Sequence, residues 1–322
     1  MKICFITPNG FSGKVPRNFK NCRTEYAWMI ALDAPNIPIY SLVNPPNYSN
    51  TEPEYDLGIF ILPKKLEGIH FLNIVANASQ FCKKVALMQE GPQWYYQDYP
   101  YTEQISYVNF IQSMDLLLVH NKSDIAYFKG MFKKPTFNLP SLMIEDCLRA
   151  DQVTAKPNGR PIIGGNFCSW YSGIDSYFVA LNFQKTIAAP SMGRKIQHEE
   201  HIPNLEHLPY LEWLEWMKAL SQFSYGVHLM RTHAAGTFAL NCAYFGIPCI
   251  GYKGLDTQQT LHPMLTVDVG DIEKANELAI KLRDDQMFYN FCSTHARCNY
   301  RESYNETAWK LHWDSIYDKI KN

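Results

Sequence analysis

The sequence carries almost no net charge: 30 lysines and arginines against 31 acids leave −1 over 322 residues. No overall electrostatic footprint therefore points to nucleic acid or an anionic membrane, and any charged patch has to be argued locally. No apolar run approaches the ~18 residues of a membrane span, so no membrane insertion is expected. The leading KICFIT has no apolar leader or small-residue cleavage site before it, and a cytoplasmic protein is expected. The nine cysteines form no Cys-x-x-Cys pair and are odd in number, which favours reduced core thiols over zinc or a disulfide framework. No Asp-x-Asp occurs, and neither an internal repeat nor a low-complexity segment is found. What remains is a globular composition, 46% hydrophobic and 19% charged, at a length suited to two domains of roughly 150 residues.

Short apolar runs alternate with longer mixed segments throughout, the pattern of parallel sheets with covering helices. Strand candidates in the first half are 3–7, 37–41, 57–62, 85–89, 116–120 and 136–139. The stretch 151–160 (DQVTAKPNGR) is polar and aperiodic and reads as a linker. Beyond it come strands at 161–164, 184–189, 225–230, 248–251 and 264–267, with helices at 208–222, 237–245 and 272–283. The expected fold is α/β: two doubly wound Rossmann-like domains facing a cleft, 1–152 and 160–300, followed by an amphipathic tail, 301–322.

Ligands of open parallel sheets bind outside the carboxyl ends of the strands. The most informative such segment is YGVHLMRTHAAGTFALNCAYFGIPCIGY, 225–252. A strand ends near Met230, a small-residue loop follows, and Gly236–Thr237 open a helix that stops at Gly246. A helix N-terminus behind a glycine-containing loop offers free N–H groups and a positive dipole end to an anion. Arg231 in the same loop can add a charge-assisted contact to phosphate. The bland alternative makes Gly236 a turn residue; for Gly246 the C-cap reading is preferred.

This strand, loop, Gly-Thr, helix and AYFGIP succession resembles the donor site of the family-4 glycosyltransferases of the GT-B fold. In that family a Glu-x7-Glu pair on the helix touches the donor sugar and ribose. Counting back from Gly246-Ile247-Pro248 puts those positions on His233 and Asn241, so both carboxylates are missing here. The resemblance implies a nucleotide-sugar co-substrate, UDP-linked, with a ribose contact from Asn241 and a sugar or phosphate contact from His233. It also implies a cationic diphosphate clamp, for which Arg194 and Lys195 are candidates, although a solvated surface pair is the commoner role. The terminal tail resembles the helix that in this fold crosses back to the first domain. No metal is implied, since Asp-x-Asp belongs to metal-dependent transferases of the other main fold.

In such an enzyme the first domain holds the acceptor. Its leading loop, PNGFSGK, matches no phosphate-loop spacing, yet Gly10 and Gly13 let backbone approach a substrate. Lys14, Arg17, Lys20 and Arg23 follow without an acid, and their spacing of three predicts one basic helix face. That face is either solvated or suited to a polyanionic acceptor. Glu90, directly after strand 85–89, can serve as general base or simply cap a turn. Trp94 and Tyr95 beside it offer a stacking platform. A compact chain with a basic acceptor-side helix is similar to phage enzymes that glycosylate hydroxymethylated cytosine in double-stranded DNA, which would place it in the host cytoplasm. The alternatives are a bacterial transferase building surface polysaccharide or glycolipid, a nucleotide-sugar epimerase, and a non-catalytic nucleotide-sugar-binding protein.

Overall fold

Strands that read as continuous apolar runs, such as ICFIT and LLLV, must be buried on both faces, which is the environment of a parallel sheet covered by helices. The computed structural model describes the whole chain except positions 1, 23, 44–51, 63–70, 92–98, 149–154, 156, 166, 168–172, 192–198 and 322. It divides into two compact units, one comprising Met1–Phe19, Thr24–Pro140 and His312–Asn322, the other Lys20–Arg23 and Ser141–Leu311.

The first unit contains β1 (Ile3–Thr7), α1 (Thr24–Ala31), β2 (Asn36–Pro38), β3 (Tyr55–Phe60), α2 (Phe71–Ala78), β4 (Cys82–Gln89), α3 (Tyr101–Ser113), β5 (Leu116–Val119), α4 (Lys122–Phe132) and β6 (Thr136–Asn138). Its strands pair in parallel in the order β2-β1-β3-β4-β5-β6. The second half of the last helix belongs here too: His312 Nε2 lies 2.9 Å from the Asn138 carbonyl, and Lys84 Nζ donates to the Ile320 carbonyl.

The second unit contains β7 (Pro161–Ile163), α5 (Gly173–Ala180), β8 (Ile187–Pro190), β9 (Leu205–Leu208), α6 (Trp213–Leu220), β10 (Tyr225–His228), α7 (Thr237–Phe245), β11 (Cys249–Tyr252), α8 (Asp256–Leu261), β12 (Thr266–Val267), α9 (Ile272–Asp284) and α10 (Gln286–Ser303). The final helix, α11, is Glu306–Lys321. The sheet is again all parallel, in the order β12-β11-β10-β7-β8-β9. One face packs Tyr225, Val227 and Ile250 against Val179 of α5 and Ala275, Ala279 and Leu282 of α9. The other packs Ile162 and Cys249 against Leu220 of α6 and Leu240, Ala243 and Phe245 of α7. The architecture is thus two six-stranded parallel α/β sheets, as expected.

Several local expectations are corrected. The basic helix over 14–23 is absent: the described residues 14–22 run as extended chain and turn, and α1 starts only at Thr24. Pro16 has no N–H to give a helix, and Gly13 is drawn into a backbone bridge with Asn36 (N···O 2.9 and 2.8 Å). The strand placed at 184–189 begins later, at Ile187, because Gln184 takes a left-handed conformation (φ 55°) after a 3-10 turn. The helix placed at 208–222 is β9 followed by α6, with Pro209 between them. Within the segment read as a linker, the described Ala155 donates from its N to the Phe245 carbonyl (3.0 Å) and Gly159 from its N to Ser224 Oγ (2.9 Å).

The loop after β1 depends on one side chain. Asn36 is fully buried; its Oδ1 accepts from Thr7 Oγ1 (2.8 Å) and its Nδ2 donates to the Phe11 carbonyl (2.6 Å). Asn36→Ala strands both partners and is expected to destabilise the chain by about 1–3 kcal/mol, read as a lower urea midpoint. An unchanged midpoint would show that the loop holds itself without this brace.

Candidate functional site

In a doubly wound sheet the crossovers reverse direction at one point, and the loops leaving the two adjacent strands part to form a crevice at their carboxyl ends. In the second sheet that point lies between β7 and β10. From β7 the chain proceeds outward through β8 and β9; from β10 it proceeds the other way through β11 and β12. The loop after β7 leads into α5, and the loop after β10 leads into α7.

Those two loops meet through a carboxylate. Asp175, in the first turn of α5, pairs with Arg231 of the β10–α7 loop (Oδ2···Nη2 3.2 Å). The same oxygen accepts from the Tyr252 hydroxyl at the end of β11 (2.9 Å). Burial, then the hydrogen bond and charge of Asp175, push the Tyr252 phenol up to about 12, so it remains a donor at any physiological pH. Arg231 is held at one nitrogen while its side chain stays 59% exposed.

Beside it stands the N-terminus of α7. The helix reads TFALNCAYF and is buried almost throughout, consistent with its nearly all-apolar sequence. Its N-cap is Gly236 at φ 66°, and no side chain caps it. A Cβ on Gly236 would lie 2.0 Å from Thr257 Oγ1, so both the backbone conformation and the space demand glycine. Gly254, after β11, has φ 115°, and a Cβ there would lie 2.3 Å from His233 Nε2. The imidazole of His233 thus lies over the bare backbone of the neighbouring loop. A cation, a helix N-terminus and an imidazole at one switch point make a site that can bind a phosphate oxygen.

Of the residues singled out in this half of the sequence, Arg231, His233, Gly236 and Thr237 lie on this one loop and helix start. Asn241 lies one turn deeper and is buried. With its amide oriented to satisfy both groups, Oδ1 accepts from Trp216 Nε1 (3.0 Å) and Nδ2 donates to the Thr237 carbonyl (3.2 Å). Its polar atoms therefore serve the packing of α6 on α7, with one amide hydrogen and one lone pair left beyond these two bonds. Arg194 and Lys195 lie outside the described residues. Asp175 and Tyr252 escaped the sequence reading. The only available signal was an acid just inside a helix start, SGID, behind a glycine-rich loop.

In the first unit the polar row also sits at the strand ends. Gln89, ending β4, accepts from the Tyr107 hydroxyl; Glu90 follows it, exposed. Asn138, ending β6, donates to the His120 carbonyl (2.6 Å), and His120 stacks on Trp28 at 5.5 Å. Gly10 has open space around it, and Gly13 forms the bridge to Asn36. Lys14 is paired with Asp33, and Arg17 and Lys20 are exposed. Lys20 groups with the second unit, where its carbonyl accepts from Leu214 N (3.3 Å). Arg23, Trp94 and Tyr95 lie outside the described residues. Among the described residues no cluster of three or more His, Cys, Asp or Glu side chains could hold a metal ion.

Three buried histidines, His120, His228 and His262, are pushed down from 6.5 to about 4, in each case mainly by burial. Below about pH 6.5 the unfolded chain takes up protons that these buried imidazoles refuse, which favours unfolding. Stability is therefore complete above about pH 6.5 and is lost as pH falls toward 4, by on the order of 3 kcal/mol per histidine. Thermal melts are expected to drop steeply between pH 6.5 and 4.5, and His228→Gln, which cannot titrate, is expected to flatten that fall. An identical acid profile in the variant would remove His228 from the account.

No family model and no curated protein matches this sequence. Solved structures do. A sucrose-phosphate synthase from Thermosynechococcus elongatus superposes with a TM-score of 0.66 at 12% identity, over 99% of each chain. An alpha-glucosyltransferase in complex with UDP superposes with a TM-score of 0.64 at 11% identity, over 100% of each chain. The same kind of enzyme, in complex with UDP and a 13-mer DNA containing a central A:G mismatch, gives 0.60 at 11% identity over 100% of this chain and 99% of that one. The chain has the fold of the GT-B glycosyltransferases.

Proposed function

We propose that the protein transfers a sugar from a UDP-linked donor to an acceptor hydroxyl. The observation that carries the reading is the pairing of an exposed, tethered Arg231 with an α7 N-terminus that makes no side-chain cap hydrogen bond, at the switch point of the second sheet. Supporting it, structures of the same fold were solved with UDP. The acceptor oxygen attacks the anomeric carbon, the bond to the diphosphate breaks, and UDP leaves carrying the bonding electrons. Arg231 and the α7 N–H groups at Gly236–Thr237 neutralise that growing charge, and His233 contacts the sugar or a phosphate oxygen. Arg194 and Lys195 complete the clamp. Glu90 is the base proposed to take the acceptor proton.

For the acceptor we favour hydroxymethylated cytosine in DNA, supported by the alpha-glucosyltransferase structure that contains DNA. The base would be turned out of the stack to react, against Trp94 and Tyr95. Phosphate contact is assigned to Lys14, Arg17, Lys20 and Arg23, with Lys14 also paired with Asp33 on the surface. A glycan acceptor is the rival. A UDP-release screen crossing several UDP-sugars with hydroxymethylated DNA and with simple glycans decides between them. Release only with glycans would discard the DNA acceptor; UDP binding without release under any pairing would make the protein a binder.

Two variants test the parts separately. Arg231→Ala removes a charge-assisted phosphate contact worth about 1.5–3 kcal/mol, so UDP binding by calorimetry is expected to weaken roughly 10- to 150-fold with little change in melting temperature. Unchanged affinity would take Arg231 out of the site. Reversing Arg17 and Lys20 to Glu is expected to weaken DNA binding and leave UDP affinity alone. The log–log salt dependence should flatten by about one unit per lost phosphate contact, because fewer condensed counterions are released. A salt slope equal to the parent's would mean those side chains face only solvent.

A further inference from the structure

The anion-binding arginine is a long, flexible side chain, and an exposed one ordinarily samples many rotamers. Here it does not stand alone. Asp175 holds it at 3.2 Å, and Asp175 is itself fixed from two directions. Its backbone lies in the first turn of α5, whose Tyr177, Val179 and Ala180 are buried in the core of the second unit. Its Oδ2 is further anchored by the hydroxyl of Tyr252, a residue 1% exposed at the end of β11. One carboxylate thus ties together the loops after β7, β10 and β11, whose strands are consecutive in the sheet.

We infer that Asp175 is the positioning residue for the donor site: it pre-sets Arg231 for the diphosphate, with Tyr252 as the anchor of the carboxylate. The inference rests on the donor-site reading above and adds the groups that make the site precise. Ordering a rotamer-rich side chain before the ligand arrives removes that cost from binding. A guanidinium is a rigid planar fork, so holding one nitrogen restricts the directions of its remaining N–H donors before a phosphate arrives. The high phenol pKa of Tyr252 ensures that its hydroxyl donates to the carboxylate rather than repelling it. A carboxylate close to a phosphate would by itself oppose binding, and the opposite possibility is therefore concrete: Asp175 could act as a rival anion that the donor must displace.

A double-mutant cycle separates the cases, with UDP as the probe and isothermal titration as the measurement, on the full-length chain. If Asp175 acts through Arg231, Asp175→Asn and Arg231→Ala each weaken UDP binding by roughly tenfold or more. The double variant then binds no more weakly than Arg231→Ala alone, because a positioning residue has nothing left to position. Losses that multiply would give Asp175 an independent, merely structural part and overturn the inference. Tighter UDP binding by Asp175→Asn would overturn it in the other direction, in favour of the rival anion. Tyr252→Phe keeps both charged groups and removes only the anchor; an intermediate loss, absent when Arg231 is already Ala, is expected, and it serves should Asp175→Asn fold poorly. Wild-type protein that takes up no UDP at all would fail the donor-site reading itself, a result distinct from a bound UDP indifferent to Asp175.

Discussion

A β-strand buried on both faces has no place for a polar side chain except its ends, and that constraint decides where chemistry sits in both units. In the first sheet the buried polar residues Thr7, Gln89, His120 and Asn138 stand at or just past the carboxyl ends of β1, β4, β5 and β6. In the second, His228 and Tyr252 end β10 and β11. Each polar group placed there must find a partner or remain open to a ligand. Tyr107 satisfies Gln89, and Asn36 satisfies Thr7. Asp175 answers to Tyr252 and Arg231 together and still leaves most of the guanidinium exposed. A paired, exposed cation thus stands at the point where the crossovers of the second sheet diverge.

The same reasoning explains how much could be read from residues alone. The helix at Thr237–Phe245 was legible to the residue because both ends are marked, Gly-Thr at the start and Gly-Ile-Pro at the stop. The inner strands were legible as apolar runs. β9 was not: LEHL is a short edge strand with two adjacent polar residues, lying next to a helical pattern, and Pro209 is the one breaker between the two. The stretch 14–22 misled in the opposite way. A cation every third residue imitates a helix face, while Pro16 and the Gly13–Asn36 bridge, formed across residues distant in sequence, impose extended chain.

The site divides along the same line. Arg231, His233 and Gly236 could be found because one loop carries them. Asp175 could not, since it is 56 positions from Arg231 and 77 from Tyr252, and nothing but the strand order β11-β10-β7 brings the three together. Local spacing names the cation; topology names its counter-ion.

This bears on the missing pair of glutamates. At the helix position of the second, Asn241 spends its amide on Trp216 Nε1 and the Thr237 carbonyl. Replacing a carboxylate by an amide there exchanges a ligand contact for a fixed packing of α6 on α7, and removes a negative charge from the helix beneath the proposed phosphate position. At the first, His233 lies against Gly254, close enough that no side chain other than hydrogen fits opposite it. An imidazole so confined can offer a hydrogen bond but little reach. Neither α7 nor its leading loop carries an acid, and Asp175, paired with Arg231, comes from a different crossover. The field at the α7 N-terminus is therefore more positive than the two-glutamate arrangement would make it. That favours grip on the diphosphate over discrimination of sugar and ribose hydroxyls, and in the proposed reaction it shifts the burden of sugar selection to the loops after β7 and β8.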